Sequence, residues 1–184
     1  TDMFKNIPSK DILGILALNF KPEGIKELIK LTGLDGFVNT YAGKAGFNLD
    51  DFVKANKGDL MVTFTDLNIK NDSSTKTETP IPAISKKPEM NFLFSVGIGD
   101  KSSFQKLVDA GKKISNDMGK GNDTSIAYGQ NDKVFAISNH QHFLNDYLAG
   151  NASNSFDFLS KLSGHPIGFF LDIHKLLSTI AGNS

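Results

Sequence analysis

The sequence predicts an α+β fold, with a mainly antiparallel sheet of five to seven strands and helices packed largely on one face. Four times, an apolar stretch of strand length runs through a short polar junction into a segment with apolar residues at helical spacing. The junctions contain Asn19, Asp100, Asn139 and Asp172. The chain has 184 residues, of which 39% are hydrophobic and 22% charged, and this composition is typical of a globular domain. We therefore expect a domain built from repeated strand-helix units.

The first third of the chain predicts one strand and three helices. Residues 12–18 form a continuous apolar run, which is typical of a strand that is buried on both faces or of a central strand. Pro22 suits the first turn of the following helix, and Gly33 ends that helix. A second helix is predicted over residues 34–42, and Asn48 is expected to cap a third, short helix.

The middle of the chain predicts two strands joined by a long connection. Residues 60–65 alternate as a half-buried strand, and residues 92–98 form the next strand. Between them, residues 68–89 contain three prolines and many Ser and Thr residues, which predicts a mobile loop. Asp100 is placed to cap a helix whose apolar face includes Phe104.

The last third predicts a hairpin, two helices and a final strand-helix pair. The hairpin joins residues 125–128 to 134–137, and Gly150 ends the helix that follows it. A short helix is predicted over residues 156–162. We divide the chain into an α+β domain at 1–166 and a last strand and helix at 167–184.

An internal echo with an offset of 154 residues allows two interpretations of that last segment. Phe4 matches Phe158, and Gly14, the third residue of the first strand, matches Gly168 in the last. Either two buried strands are alike by chance, or residues 158–184 begin a second repeat unit.

Composition argues against several function classes. The 20 Lys+Arg residues are all lysine and are balanced by 20 Asp+Glu, so we do not expect nucleic-acid binding, which usually needs a basic surface. The absence of cysteine excludes a disulfide scaffold, a thiol nucleophile and a cysteine zinc site. No apolar run approaches the roughly 20 residues that span a bilayer. Because the chain starts at Thr1 without a leader, we expect its natural ends, including any signal peptide, to lie outside this sequence.

No motif assigns catalytic, cofactor or metal residues, so the sequence implies no cofactor. His140 and His142 are two residues apart at a helix start, which is not the spacing of a helical zinc pair. The glycine-lysine segments 119–121 and 43–46 lack the rest of a phosphate loop and are expected to be turns. The Asn and Asp residues at 116, 117, 122 and 123 lack the spacing of a calcium loop. If the protein is an enzyme, its acids must converge only in three dimensions, and we name Asp59, Asp66 and Asp172 as candidates.

The order of several motifs is similar to that of a known family. The motifs are Ile7-Pro8, the segment from Asn19 to Gly24, Gly58-Asp59-Leu60, the segment from Val96 to Asp100, Ile137-Ser138-Asn139, Phe156 and Leu171-Asp172. Together they resemble the uncharacterised lipoprotein-like proteins, a domain of unknown function, of Bacteroides-type bacteria. The resemblance implies an exported protein that is tethered by an N-terminal lipid and faces the periplasm or the cell exterior. It also implies a longer parent with related halves. It carries over no catalytic residues, and this chain has no lipobox cysteine.

We therefore expect a non-enzymatic binding or scaffolding module of the cell envelope whose partner is an unknown protein or envelope component. Two alternatives stay open. The first is a hydrolase or ligand-binding enzyme, which a deep pocket with buried acids or histidines would favour. The second is a structural half of a longer two-repeat protein, which a broad exposed apolar patch beside residues 167–184 would favour.

Overall fold

The structure is a computed structural model that describes residues 2–72, 85–117, 126–152, 154, 156–162 and 164–181. The strands in these ranges are β1 (Ile12–Asn19), β2 (Asn56–Asp72), β3 (Ser85–Ile98), β4 (Ala127–Gln130), β5 (Val134–Ser138) and β6 (Ile167–Leu171). After a 3-10 helix at Asp2–Asn6, the helices are α1 (Pro22–Leu31), α2 (Asp35–Ala45), α3 (Leu49–Ala55), α4 (Lys101–Asp117), α5 (Gln141–Ala149), α6 (Leu159–Leu162) and α7 (Ile173–Ala181).

The strands form one open antiparallel sheet in the order β4-β5-β3-β2-β1-β6, which confirms the predicted α+β class. Its centre is the long pairing of β2 with β3. Strand β1 lies inside the sheet between β2 and β6, as its continuous apolar run predicts. The repeat character of the strand-helix units is not established by this architecture.

Each face of the sheet takes its name here from the helix that covers it. On the α5 face, Ile15, Met61, Leu93 and Ala136 are buried under Leu144 and other residues of α5, with the 3-10 helix and α6 beside it. On the α4 face lie the alternate residues of the same strands. They include Leu16, Val62, Phe94 and Ile137, which are neighbours in the register across β1, β2, β3 and β5.

The helices pack on both faces, not largely on one as the sequence suggested. Phe104 of α4 packs against Val96 on the α4 face, in a second cluster that is separate from the core under α5. The physical reason is that the central strands carry apolar side chains in both phases of their alternation. Both faces then need cover, as in a strand that is buried on both sides.

The connection between β2 and β3 is shorter than the predicted loop at 68–89. The two strands stay paired out to Asp72 opposite Ser85, so residues 68–72 and 85–89 form a ribbon. Antiparallel pairing satisfies the backbone groups of such a ribbon even where the side chains are polar. The rest of the predicted loop, residues 73–84, lies outside the described residues.

Three of the four polar junctions bind backbone groups, in two different ways. Asp100 and Asp172 cap helices, because their Oδ1 atoms accept hydrogen bonds from the backbone N–H groups of Ser103 and Lys175 at 2.7 and 2.9 Å. Asn139 instead binds β3. Its side chain accepts from Phe92 N at 2.9 Å and donates to Met90 O at 2.8 Å.

The fourth junction residue, Asn19, is the last residue of β1, paired with Asp59, and it caps no helix. The amide side chain of Asn139 carries both a donor and an acceptor, so it can bind an N–H group and a C=O group of β3 at the same time. An ionised carboxylate, which only accepts, cannot do this. Elsewhere, Asn48 forms the predicted cap of α3 as part of a reciprocal capping box with Asp51.

The sequence echo does not correspond to a structural equivalence in the sheet. It matches Ile15 with Phe169, but Phe169 lies directly opposite Leu16 and therefore on the other face from Ile15. Two neighbouring antiparallel strands that are related by a two-fold axis would keep equivalent side chains on one face. The final helix α7 begins at Ile173, directly after the Asp172 cap.

A glycine makes the close contact between the start of β2 and the end of β1 possible. Gly58 has φ +91°, and a Cβ added there would lie 2.0 Å from the backbone oxygen of Phe20. Phe20 N also donates to Gly58 O at 2.7 Å, so the two backbones are held together directly. Any side chain at position 58 must therefore displace the backbone.

We predict that Gly58→Ala lowers the free energy of unfolding by about 2 kcal/mol or more, because it combines an unfavourable φ with a backbone clash. The matched control is Gly24→Ala in α1, where an added Cβ meets nothing within 4 Å. We expect it to be neutral or to stabilise the protein by up to about 1 kcal/mol. Urea unfolding followed by circular dichroism measures both values. Equal effects of the two substitutions would contradict the assignment.

Candidate functional site

An apolar groove lies between α4 and the α4 face of the sheet. Its volume is about 1010 Å³. Its floor comes from β2, β3, β4 and β5, its roof from α4, and one end from α3 and the residue after β1. The lining residues are Phe20, Phe52, Asn56, Leu60, Phe94, Val96, Phe104, Leu107, Val108, Gly111, Lys112, Ile126, Tyr128, Phe135 and Ile137.

The roof is held in place at its N-terminal end. Asp100 caps α4, and a backbone hydrogen bond from Ser103 keeps the pKa of its carboxyl below the ordinary value. Lys106 Nζ lies 2.7 Å from Asp51 Oδ1 and ties α4 to α3. The hydrogen bond from Lys106 likewise lowers the pKa of Asp51. Phe104 closes the contact by packing on Val96 beneath the helix.

The far end of the roof is more open. Lys113 Nζ donates to Lys44 O of α2 at 3.1 Å, but the groove-lining Gly111 and Lys112 are exposed. Among the described residues, a Cβ at Gly111 would meet nothing within 4 Å. Gly111 lies on the same helical face as Leu107 and Val108, which line the groove, so a larger side chain there would narrow the opening.

Polar groups are few in the lining. Asn56 Nδ2 donates to Phe52 O at 2.7 Å and is thereby already used. Lys112 is charged, and the described residues of the lining include no acid and no histidine. The remaining side chains are aliphatic or aromatic, so the groove offers an apolar volume with one cation at its mouth.

The apolar surface continues from the groove across the sheet to β6. The register extends the row Ile137, Phe94 and Val62 to Leu16 and then to Phe169. Leu16 is 37% exposed and Phe169 is 66% exposed. Large apolar side chains that remain exposed in a contiguous row mark an interaction surface more often than isolated ones do.

The three candidate acids do not meet. Asp59 and Asp66 are both on β2, seven residues apart, which corresponds to roughly 23 Å of extended strand. Asp172 lies beyond the end of β6 and is used as the cap of α7. Asp66 lies near the same end of the sheet, but its carboxylate accepts from Ser9, Thr65 and Asn91 at 2.8, 2.6 and 3.1 Å. These hydrogen bonds give Asp66 a structural role, because they connect β2 to the segment before β1 and to β3.

The other sequence candidates have structural roles where the structure describes them. All four histidines, at positions 140, 142, 165 and 174, are exposed, and His142 Nδ1 lies 2.9 Å from Asp146 one helical turn away. The segment 43–46 forms the end of α2 and its glycine cap, rather than a free turn. Residues 116 and 117 end α4, while residues 118–125, with the second glycine-lysine segment, lie outside the described residues.

The described part of the chain contains no group of three or more His, Asp or Glu side chains that could hold a metal ion. Its helices are all too short or too polar to cross a bilayer.

A layer of small polar side chains lies buried on the α5 face. Thr63, Ser95 and Ser138 are all fully buried there, and Tyr147 of α5 donates a hydrogen bond to Ser95 Oγ at 3.0 Å. Burial raises the pKa of Tyr147 to about 12, and the negative charge of Asp59 adds to the shift. Asp59 is itself buried, and its Oδ1 has no hydrogen-bond partner among the described residues. This layer has no access from solvent comparable to the groove and therefore offers no substrate site.

The groove was not predicted from the sequence. Its signal was present in β3, where Phe92, Phe94 and Val96 alternate with Leu93 and Ser95. When one set of alternate residues in a strand is bulky and the other set contains serine, the bulky set is expected to be the buried one. The structure buries the serine phase under α5 and leaves part of the bulky phase open.

Comparisons of this chain with models of protein families, with curated proteins and with solved structures gave no match. The site is therefore assigned from its own geometry alone.

We predict that Tyr147→Phe destabilises the protein by about 1 to 2 kcal/mol at pH 8, because Ser95 loses its buried partner. The phenol has a raised pKa in the folded protein, so its contribution is complete below its unfolded pKa of about 10. It is then lost as the pH rises to about 12. The difference in unfolding free energy between wild type and variant should shrink over this range in urea titrations. The exposed Tyr128→Phe serves as control, and a difference that is independent of pH would contradict the assignment.

Proposed function

We propose that this protein is a non-enzymatic binding module of the cell envelope. Its groove would hold the apolar chain of an amphipathic molecule that carries an anionic end. The observation that carries the proposal is the groove itself. Its volume of about 1010 Å³ is at the upper end of the range for small-molecule sites, and its lining is mainly aliphatic and aromatic. Transfer of an acyl chain from water to such a surface lowers the free energy and needs no specific polar contacts.

The anionic end is inferred from charge. Lys112 at the mouth is the one charged side chain among the described lining residues, none of which is an acid that could neutralise it. A carboxylate or phosphate on the ligand could therefore stay in water beside the ammonium group while its chain enters the groove. Such an exposed pair contributes little affinity, but it favours one orientation of the ligand.

The same lining favours binding over catalysis. The enzyme alternative needs acids or histidines that face a common cavity, because a general acid or base must reach the bond that reacts. The groove presents none among its described lining residues, and Asp59, Asp66 and Asp172 are separated or used as structural acceptors.

The envelope location and the lipid tether of a longer parent rest on the family resemblance described above. The alternative of a structural half has mixed support. The exposed row that ends at Phe169 is the apolar patch that this alternative requires. The sequence echo behind it, however, matches Ile15 with a residue on the opposite face of the sheet.

The groove can be tested with a fluorescent fatty acid, 11-(dansylamino)undecanoic acid, whose emission rises in apolar surroundings. We expect the wild-type protein to bind it with a dissociation constant of about 1 to 100 µM. Gly111→Leu should weaken binding at least about tenfold, because the leucine fills the mouth. Its stability should not fall, because leucine is the better helix former.

The matched control is Gly36→Leu in α2, another exposed helical glycine whose Cβ would meet nothing within 4 Å and which does not line the groove. It should bind the probe as the wild type does. Equal binding by all three proteins, or no binding by the wild type, would disprove the groove as the site.

The role of Lys112 has a separate test with paired competitors. We expect Lys112→Ala to weaken displacement of the probe by laurate about two- to fivefold, the size expected for an exposed ion pair. Displacement by dodecanol, which has the same chain without the charge, should not change. The neighbouring Lys113→Ala is the control, because Lys113 donates to Lys44 O and does not line the groove. An equal loss for laurate and dodecanol would show that Lys112 contributes only its apolar stem.

A further inference from the structure

The edge strand β6 lacks the features by which sheets usually avoid pairing with other chains. Its sequence, Ile-Gly-Phe-Phe-Leu, contains no charge and no proline. Among the described residues, β6 pairs with β1 alone, so its outer edge is open. The opposite edge of the sheet is β4, which has only four residues and is contacted by α5.

The hydrogen-bond phase shows which groups face that open edge. Asn19 N donates to Pro166 O, and Asp172 N donates to Leu13 O, each at 2.8 Å. Bonded pairs in an antiparallel ladder recur every second residue, so positions 168 and 170 also bond to β1. The backbone N–H and C=O groups of residues 167, 169 and 171 therefore point outward.

The side chains of these same three residues lie on the α4 face and are exposed. Ile167 is 67% exposed, Phe169 66% and Leu171 38%. Helix α7 contacts β1 and β2, on the inner side of β6, and α6 packs on the α5 face, where Leu162 lies against Gly168. Among the described elements, both the edge and its apolar side chains are thus left open.

We propose that a second copy of this chain pairs with this edge, β6 against β6, and forms a two-fold symmetric dimer. An antiparallel pairing centred on Phe169 places residue 169 opposite its own copy and Ile167 opposite Leu171 of the other protomer. All outward backbone groups of the three residues then find partners, and all three cross-strand pairs are apolar. The sheet and the exposed row on the α4 face continue from one protomer into the other.

Charge and symmetry favour a second copy as the occupant. The chain has equal numbers of acidic and basic residues, so two copies carry no net repulsion. The edge is also complementary to itself. In an antiparallel pairing centred on residue 169, the outward N–H and C=O groups of one copy face the outward groups of the other. This proposal is independent of the groove ligand, since β6 does not line the groove.

The test is sedimentation velocity over about 5 to 300 µM protein, a range in which mass action separates monomer from dimer. We expect the wild type to be a dimer through most of this range. Phe169→Lys should raise the dissociation constant at least about 100-fold, because it places two like charges opposite each other. Phe169→Pro should do the same by removing an outward N–H that the sheet of one protomer does not use.

The matched control is Phe37→Ala in α2, an aromatic residue of similar exposure, 61%, that lies away from β6. It should dimerise as the wild type does. Circular dichroism must show that both Phe169 variants are folded, and Phe169→Lys keeps the test valid if proline perturbs the strand. Hydrogen exchange of the N–H groups of residues 169 and 171 should slow as wild-type concentration rises.

Three results would overturn the proposal. The wild type could sediment as a monomer throughout the range. The dimer could persist in both Phe169 variants, which would place the contact elsewhere. Finally, Phe37→Ala could dissociate it as strongly as Phe169→Lys, which would indicate unspecific association of exposed apolar side chains.

Discussion

The close approach of α5 to the sheet determines how the rest of the molecule is arranged. The sheet residues beneath it include Thr63, Ser95, Ala136 and Ser138, which are fully buried and small. Small side chains let a helix lie near the strands, and the hydrogen bond from Tyr147 to Ser95 satisfies the polar group that this burial would otherwise leave unpaired. Ile15, Met61 and Leu93 share this face with the small residues, whereas Phe92, Phe94 and Phe135 fall on the other face.

That distribution explains why the α4 face is incompletely covered. A single long helix, α4, packs on Val96 and Phe135, and its contact is fixed at one end by the Asp100 cap and by the ion pair between Lys106 and Asp51. The bulky floor and the helix above it leave a volume between them instead of a filled core. The groove and the exposed row that leads to β6 are two parts of one surface, which is formed by the bulky apolar side chains on the α4 face.

Much of the fold could be predicted from local patterns, because caps, glycine stops and strand alternation act over a few residues. Asn48, Asp100 and Gly150 have the roles that their neighbours in sequence imply. The groove could not be predicted, because alternation shows that two faces differ but not which face a distant helix will cover. The sequence also gave no reason to separate Asn139, which binds a strand, from Asp172, which caps a helix, since both follow a strand.

Gly111 carries a consequence for how this protein could change over time. A glycine inside a long helix costs roughly 0.5 to 1 kcal/mol relative to alanine, and nothing in the space around it prevents a larger residue. Selection for stability alone would tend to replace it. If the mouth of the groove must stay open, the position is instead under two opposed pressures, and graded substitutions from alanine to leucine would trade ligand size against helix stability. The width of the groove can thus be tuned at one position without rebuilding the sheet.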